Sequence, residues 1–206
     1  MNFLIPQGQD GIILAKEIIS EVNNRVRRIY WTNDEIDKYF AKRSATEILR
    51  NGFTGFMNPC LDLTLVSASM IASRDIPYFF IIEEHLPTTN FDFNRLHFVL
   101  EFQSRDRQYF LNYKKDNEVH IGEGKYEGRK DIPLSQIKRI SGEKINPYKP
   151  IYQNFGYETL NAFIENEFNG YSLESNLQRL KLDNSVTNFN KHEKECGKNF
   201  KVILKP

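Results

Sequence analysis

The sequence predicts an α+β protein, helices first and an antiparallel sheet after them. Apolar residues recur at helical spacing up to about residue 73, then switch to the two-residue alternation of strands. Two stretches near the front, Thr32-Asn-Asp-Glu35 and Ser44-Ala-Thr-Glu47, have the form of capping boxes, which start helices. From residue 78 onward short strand-like runs are separated by polar or Gly-containing turns, and segregation of this kind is the mark of the α+β class.

Ile12, Ile13, Ala15, Ile18, Ile19, Val22, Val26 and Ile29 share one face of a helix over residues 10–29. The capping boxes open two more, the second ending near Gly52, a residue that readily takes the left-handed conformation of a C-terminal cap. Asn58-Pro59 then opens a fourth helix that runs to about Ser73 and is broken by Asp75-Ile-Pro77. Asn accepts a hydrogen bond from a first-turn amide, and Pro suits the first helical position. Tyr78–Ile82 reads as a short buried strand, residues 85–95 as a polar loop, and Leu96–Gln103 as an alternating strand. Ser104–Arg107 is a turn and Gln108–Tyr113 the return strand of a hairpin. Short strands and loops fill residues 117–150. Helices over residues 157–168 and 173–182 and a short strand over 200–204 close the chain. We read one domain, divided into N-terminal helices (1–56), a core (57–150) and a C-terminal extension (151–206).

Lys and Arg total 28 against 27 Asp and Glu, so no electrostatic footprint for nucleic acid or an anionic membrane is present. No run approaches the ~20 apolar residues of a membrane span. Cys60 and Cys196 make no disulfide framework, and together with the absence of a leader pattern this predicts a cytoplasmic setting.

Chemistry concentrates at Cys60. In the first turn of a helix, free amides and the positive end of the dipole favour an anion, which is one way to lower a thiol pKa. Cysteine is also among the most buried residue types, so the alternative is a small hydrophobe. A nucleophilic thiol needs a base and a group to orient that base. Of four histidines, His97 lies on a strand whose one face is Leu96, Phe98, Leu100 and Phe102. It therefore shares the other face with Val99, Glu101 and Gln103. With an even-length turn Gln103 pairs with Gln108, and Asn112 falls on the same face as His97, one diagonal step away at ~7–8 Å between backbones. An amide there can hold one imidazole nitrogen and leave the other for sulfur. An odd-length turn would separate the two.

Ala45-Thr-Glu-Ile-Leu-Arg-Asn-Gly52, Cys60-x-Asp62 opening an apolar helix, Asp75-Ile-Pro77 leading into a strand, His97 on the next strand and a polar residue fifteen positions later together resemble the core of transglutaminase-like proteins. The resemblance spans about residues 44–125. It implies the papain-like cysteine protease fold, with the nucleophile helix packed on an antiparallel sheet. It also implies Cys60 as nucleophile, His97 as base and Asn112 as orienter, where the family usually has Asp. The implied activity is acyl transfer or amide hydrolysis on a peptide or protein amide through a thioester, with no cofactor and no metal. The Cys60 amide is the first expected oxyanion donor; Asn58, Trp31 and the 52–57 loop are candidates for the second. A catalytically inactive binding module on the same fold and a papain-fold acetyltransferase are the alternatives.

Asp62 reads as structural. Asp116 is a substitute for Asn112 if the hairpin register differs, and Glu101 reads as a salt-bridge partner. His120 lies just past the second strand, and the Gly122–Gly124 loop as a turn rather than a phosphate nest. His192 and Cys196 offer two ligands at i,i+4 spacing, short of a metal site.

Overall fold

A computed structural model describes residues 10–55, 60–85, 95–114, 118–130, 135–168, 172–188 and 201–205. It opens with α1 (Asp10–Arg25), β1 (Arg27–Ile29), α2 (Asn33–Tyr39), α3 (Ala45–Asn51), β2 (Phe53–Gly55) and α4 (Cys60–Ala72). The sheet strands β3 (Tyr78–His85), β4 (Arg95–Ser104), β5 (Arg107–Tyr113), β6 (Glu118–Glu123) and β7 (Ser135–Ser141) follow. Two short 3-10 turns, α5 (Leu160–Glu167), α6 (Leu173–Asn188) and β8 (Lys201–Lys205) complete it. The protein is α+β, with a six-stranded sheet ordered β7-β3-β4-β5-β6-β8 that is antiparallel except where β8 joins β6.

Both capping boxes form. Thr32 Oγ1 accepts from the Glu35 amide at 3.2 Å while Glu35 reaches back to the Thr32 amide at 2.8 Å. Ser44 and Glu47 do the same at 3.3 and 2.7 Å. Gly52 closes α3 at φ +70°. One expectation is corrected: the first helix stops at Arg25 rather than running to Ile29. Residues 27–29 leave the helix because they pair in parallel with 53–55, beginning with the Arg27 amide on the Gly52 carbonyl at 2.9 Å. The N-cap expected at Asn58-Pro59 lies outside the described residues.

The two faces of the sheet are covered differently. Phe80, Ile82, Phe98, Leu100, Phe102, Tyr109, Leu111 and Tyr113 face α1 and α4 and form the main core. Every residue of α4 from Cys60 to Ile71 is buried, the state expected of a helix that is apolar all round. Its few polar side chains are satisfied locally: Ser67 Oγ and the Tyr113 hydroxyl lie 2.7 Å apart, and Ser69 Oγ bonds the Val66 carbonyl. On the second face Ile81, Val99, Phe79, Phe110 and Ile137 gather around Tyr126, which arrives from the segment after β6.

Candidate active site

The hairpin β4–β5 turns through Arg105-Asp106 and pairs Gln103 with Gln108. The turn is therefore even, and His97 and Asn112 share the second face. Their side chains meet, with His97 Nε2 2.7 Å from Asn112 Oδ1.

The β4–β5 ladder begins only at Leu100↔Leu111, so the strands part at the end that carries His97. The Gln103 amide donates to Pro77 on the β3 side, and backbone direction alternates along a strand. The N–H and C=O of Phe98 consequently point toward β5, into the gap. The start of α4 satisfies both. Thr64 Oγ1 donates to the Phe98 carbonyl at 3.3 Å, and the Phe98 amide bonds the sulfur of Cys60. The Cys60 and Leu61 amides at the helix start also act on the sulfur as donors. Cys60 thus lies at the amide of the residue that follows His97, and the His97 imidazole reaches Asn112 on β5 from the second face.

The electrostatics differ from the expectation of a lowered thiol pKa. Burial pushes Cys60 up to about 11; the amides of Phe98, Leu61 and Cys60 oppose this without overcoming it, and the charge on Asp62 adds to the rise. Cys60 is 5% exposed, so there is little water to solvate a thiolate. Burial and the nearby Lys114 ammonium push His97 down to about 4, against the pull of Asn112 and Glu83. At neutral pH the two groups are a thiol and a neutral imidazole.

Asp62 has the structural place expected of it. It pairs with Arg43 and accepts from Thr54 Oγ1 at 2.8 Å. The guanidinium sits 5.3, 4.9 and 5.2 Å from the ring centres of Trp31, Tyr39 and Phe53 and bonds the Phe53 carbonyl at 3.0 Å. This knot fixes the first turn of α4 against β2. Trp31, Leu61, Phe98 and Phe163 also line an apolar cavity of about 30 Å3 beside the helix start, room for about two waters.

The other candidates separate from the site. Glu101 is a salt-bridge partner, held by Arg139 at 2.8 and 2.9 Å. His120 pairs with Glu118 at 3.1 Å. Asp116, His192 and Cys196 lie outside the described residues. Among the described residues no group of three or more His, Cys, Asp or Glu side chains is arranged to hold a metal ion, and no helix is long and apolar enough to cross a membrane.

Sequence reasoning missed a second layer behind the His97–Asn112 pair. The Tyr126 hydroxyl donates to Glu83 Oε2 at 2.9 Å, and the Arg129 amide to Glu83 Oε1 at 2.7 Å. His85 Nε2 is 3.1 Å from Glu83 Oε2, and the His85 and His97 rings are 6.3 Å apart. Burial works against the Glu83 carboxylate, yet His85, the Arg129 amide and Tyr126 hold its pKa down to about 2. The strand expected over Tyr78–Ile82 extends to His85, and the alternation puts Glu83 and His85 on the His97 face.

Comparison with protein-family models, with curated proteins and with solved structures finds no match.

Proposed function

We propose that the protein is a transglutaminase-like, cysteine-dependent acyl-transfer enzyme acting on a peptide or protein amide, with Cys60 as nucleophile, His97 as general base and Asn112 as orienter. The observation that carries this reading is the His97–Asn112 pair at the open end of the β4–β5 ladder, with the start of α4 packed against Phe98 at that same end. His97 binds Asn112 through Nε2, and the Cys60 sulfur lies at the amide of the residue next to His97. A nucleophile helix against an antiparallel sheet agrees with the papain-like core that the sequence resemblance implies.

The protonation states select the mechanism. Moving the proton from a thiol near 11 to an imidazole near 4 before reaction costs on the order of 10 kcal/mol. The resting thiol and neutral imidazole favour a route in which proton transfer accompanies attack. Nδ1 of His97 takes the thiol proton as sulfur bonds the carbonyl carbon. The oxyanion is stabilised by the Cys60 amide and by a second donor drawn from the same gap. Collapse expels the amine, which receives the proton from His97 and leaves a thioester. Water or a second amine then releases the acyl group, giving hydrolysis or transfer.

Exposure to p-nitrophenyl acetate tests this. A burst of one p-nitrophenolate per chain, with the acetyl group located on Cys60 by peptide mass spectrometry and removed by hydroxylamine, is the expected result. Cys60→Ala and His97→Ala should abolish it. Acetylation spread over lysines, with none on Cys60, would refute the assignment. The depth of Cys60 and its raised pKa favour the second reading, a binding module whose thiol only caps the Phe98 amide. On that reading Cys60→Ser leaves the protein's function unchanged.

A further inference from the structure

The family's usual third residue is an acid, and here it is Asn112, a neutral amide that can face His97 either way round. Hydrogen-bond inventory decides which way. Glu83 is held ionised and can only accept. Tyr126 must therefore give its hydroxyl proton to Glu83, at 2.9 Å. The Tyr126 oxygen is then left to accept, and the Asn112 side chain, whose amide nitrogen is the only donor that group has, favours the charged form of Tyr126 as a donor does. That turns Asn112 Oδ1 toward His97 Nε2 at 2.7 Å. An amide oxygen cannot donate, so Nε2 carries the hydrogen and Nδ1 keeps a lone pair.

We propose that Tyr126 and Glu83 are positioning residues that orient the Asn112 amide and thereby lock His97 in the Nε2–H tautomer, supplying at two steps' remove the carboxylate that an aspartate would supply directly. The chain is built to hold this polarity. Tyr126 is fixed at its amide by Glu101 Oε1 (2.5 Å), at its carbonyl by Arg139 (3.1 Å) and at its ring by an edge contact with Phe110, centres 5.4 Å apart. Glu83 is fixed at its other oxygen by the Arg129 amide. The consequence for catalysis rests on the reading of Cys60 and His97 given above; the tautomer itself does not.

The test is nitrogen-15 NMR of the full chain labelled at histidine, which distinguishes the tautomers directly, combined with acylation by p-nitrophenyl acetate. The unsubstituted protein should show His97 as Nε2–H at neutral pH; an Nδ1–H tautomer there overturns the proposal with no variant needed. Tyr126→Phe frees the amide to turn, so it should show a mixture of tautomers. It should also slow acylation about tenfold or more with little change in KM. Asn112→Asp in that same variant should restore the rate, because a carboxylate presents an oxygen in either orientation. An unchanged tautomer and rate in Tyr126→Phe would reduce the chain to ordinary packing and overturn the proposal. A tautomer that shifts as expected in a protein that never acylates Cys60 supports the positioning chain and counts against the enzymatic reading.

Discussion

At the scale of single residues, the molecule surrounds a cysteine with groups that fix its position while burial keeps it protonated. Asp62, two residues on, shows how much of that is structural. Its carboxylate and Arg43 are both buried and paired, with aromatic rings around the guanidinium. Removing one partner leaves the other charged and alone. Asp62→Ala should therefore destabilise the fold by about 3–5 kcal/mol, read as a fall in the denaturation midpoint. An exposed pair would lose about 1 kcal/mol or less. Asn112→Ala is the matching functional substitution. It leaves Nε2 of His97 unbonded, and acylation should fall about a hundredfold while the folded fraction holds.

At the scale of elements, close packing between helices and sheet determines where the sulfur comes to rest. Gly11 in α1 lies over the Tyr109 ring, where an added Cβ would sit 2.1 Å from a ring carbon. Gly11→Ala should push α1 off β5 and cost about 1–3 kcal/mol by overpacking, measurable by chemical denaturation. Much of this layer was legible in the chain. Capping boxes are local, each needing only a hydroxyl and a glutamate three residues apart, and both formed as read. The even hairpin turn was legible as one of two parities, and parity alone decides whether His97 and Asn112 share a face. The end of α1 was not legible, because residues 27–29 continue the helical spacing and leave it only through pairing with β2, far along the chain. Tyr126 was invisible for the same reason: nothing periodic marks it within Gly122–Arg129, and its role arises from folding back across β3, β4 and β5.

At the scale of the whole molecule, one face of the sheet is a hydrocarbon core and the other carries a buried polar network, and the two respond differently to pH. Glu83 has its pKa held near 2, below the ordinary 4.5, so the folded state binds fewer protons than the unfolded state between those values. The stability it contributes is complete above about 4.5 and is lost as pH falls toward 2. His97, lowered from 6.5 to about 4, acts in the same direction, with loss beginning below about 6.5. Stability should therefore decline from slightly acid pH downward, and Glu83→Gln should flatten the part of that decline below about 4.5; an unaltered acid limb would place the sensitivity elsewhere. Whether His97 acts as the base for Cys60 is read from the alkylation rate of Cys60 by iodoacetamide as a function of pH, resolved by peptide mass spectrometry. The expected profile rises near pH 4 as His97 loses its proton, stays level through neutrality and rises again toward 11 as the thiol ionises unaided, with His97→Ala retaining only the second rise. Identical profiles for the two proteins would contradict that role for His97.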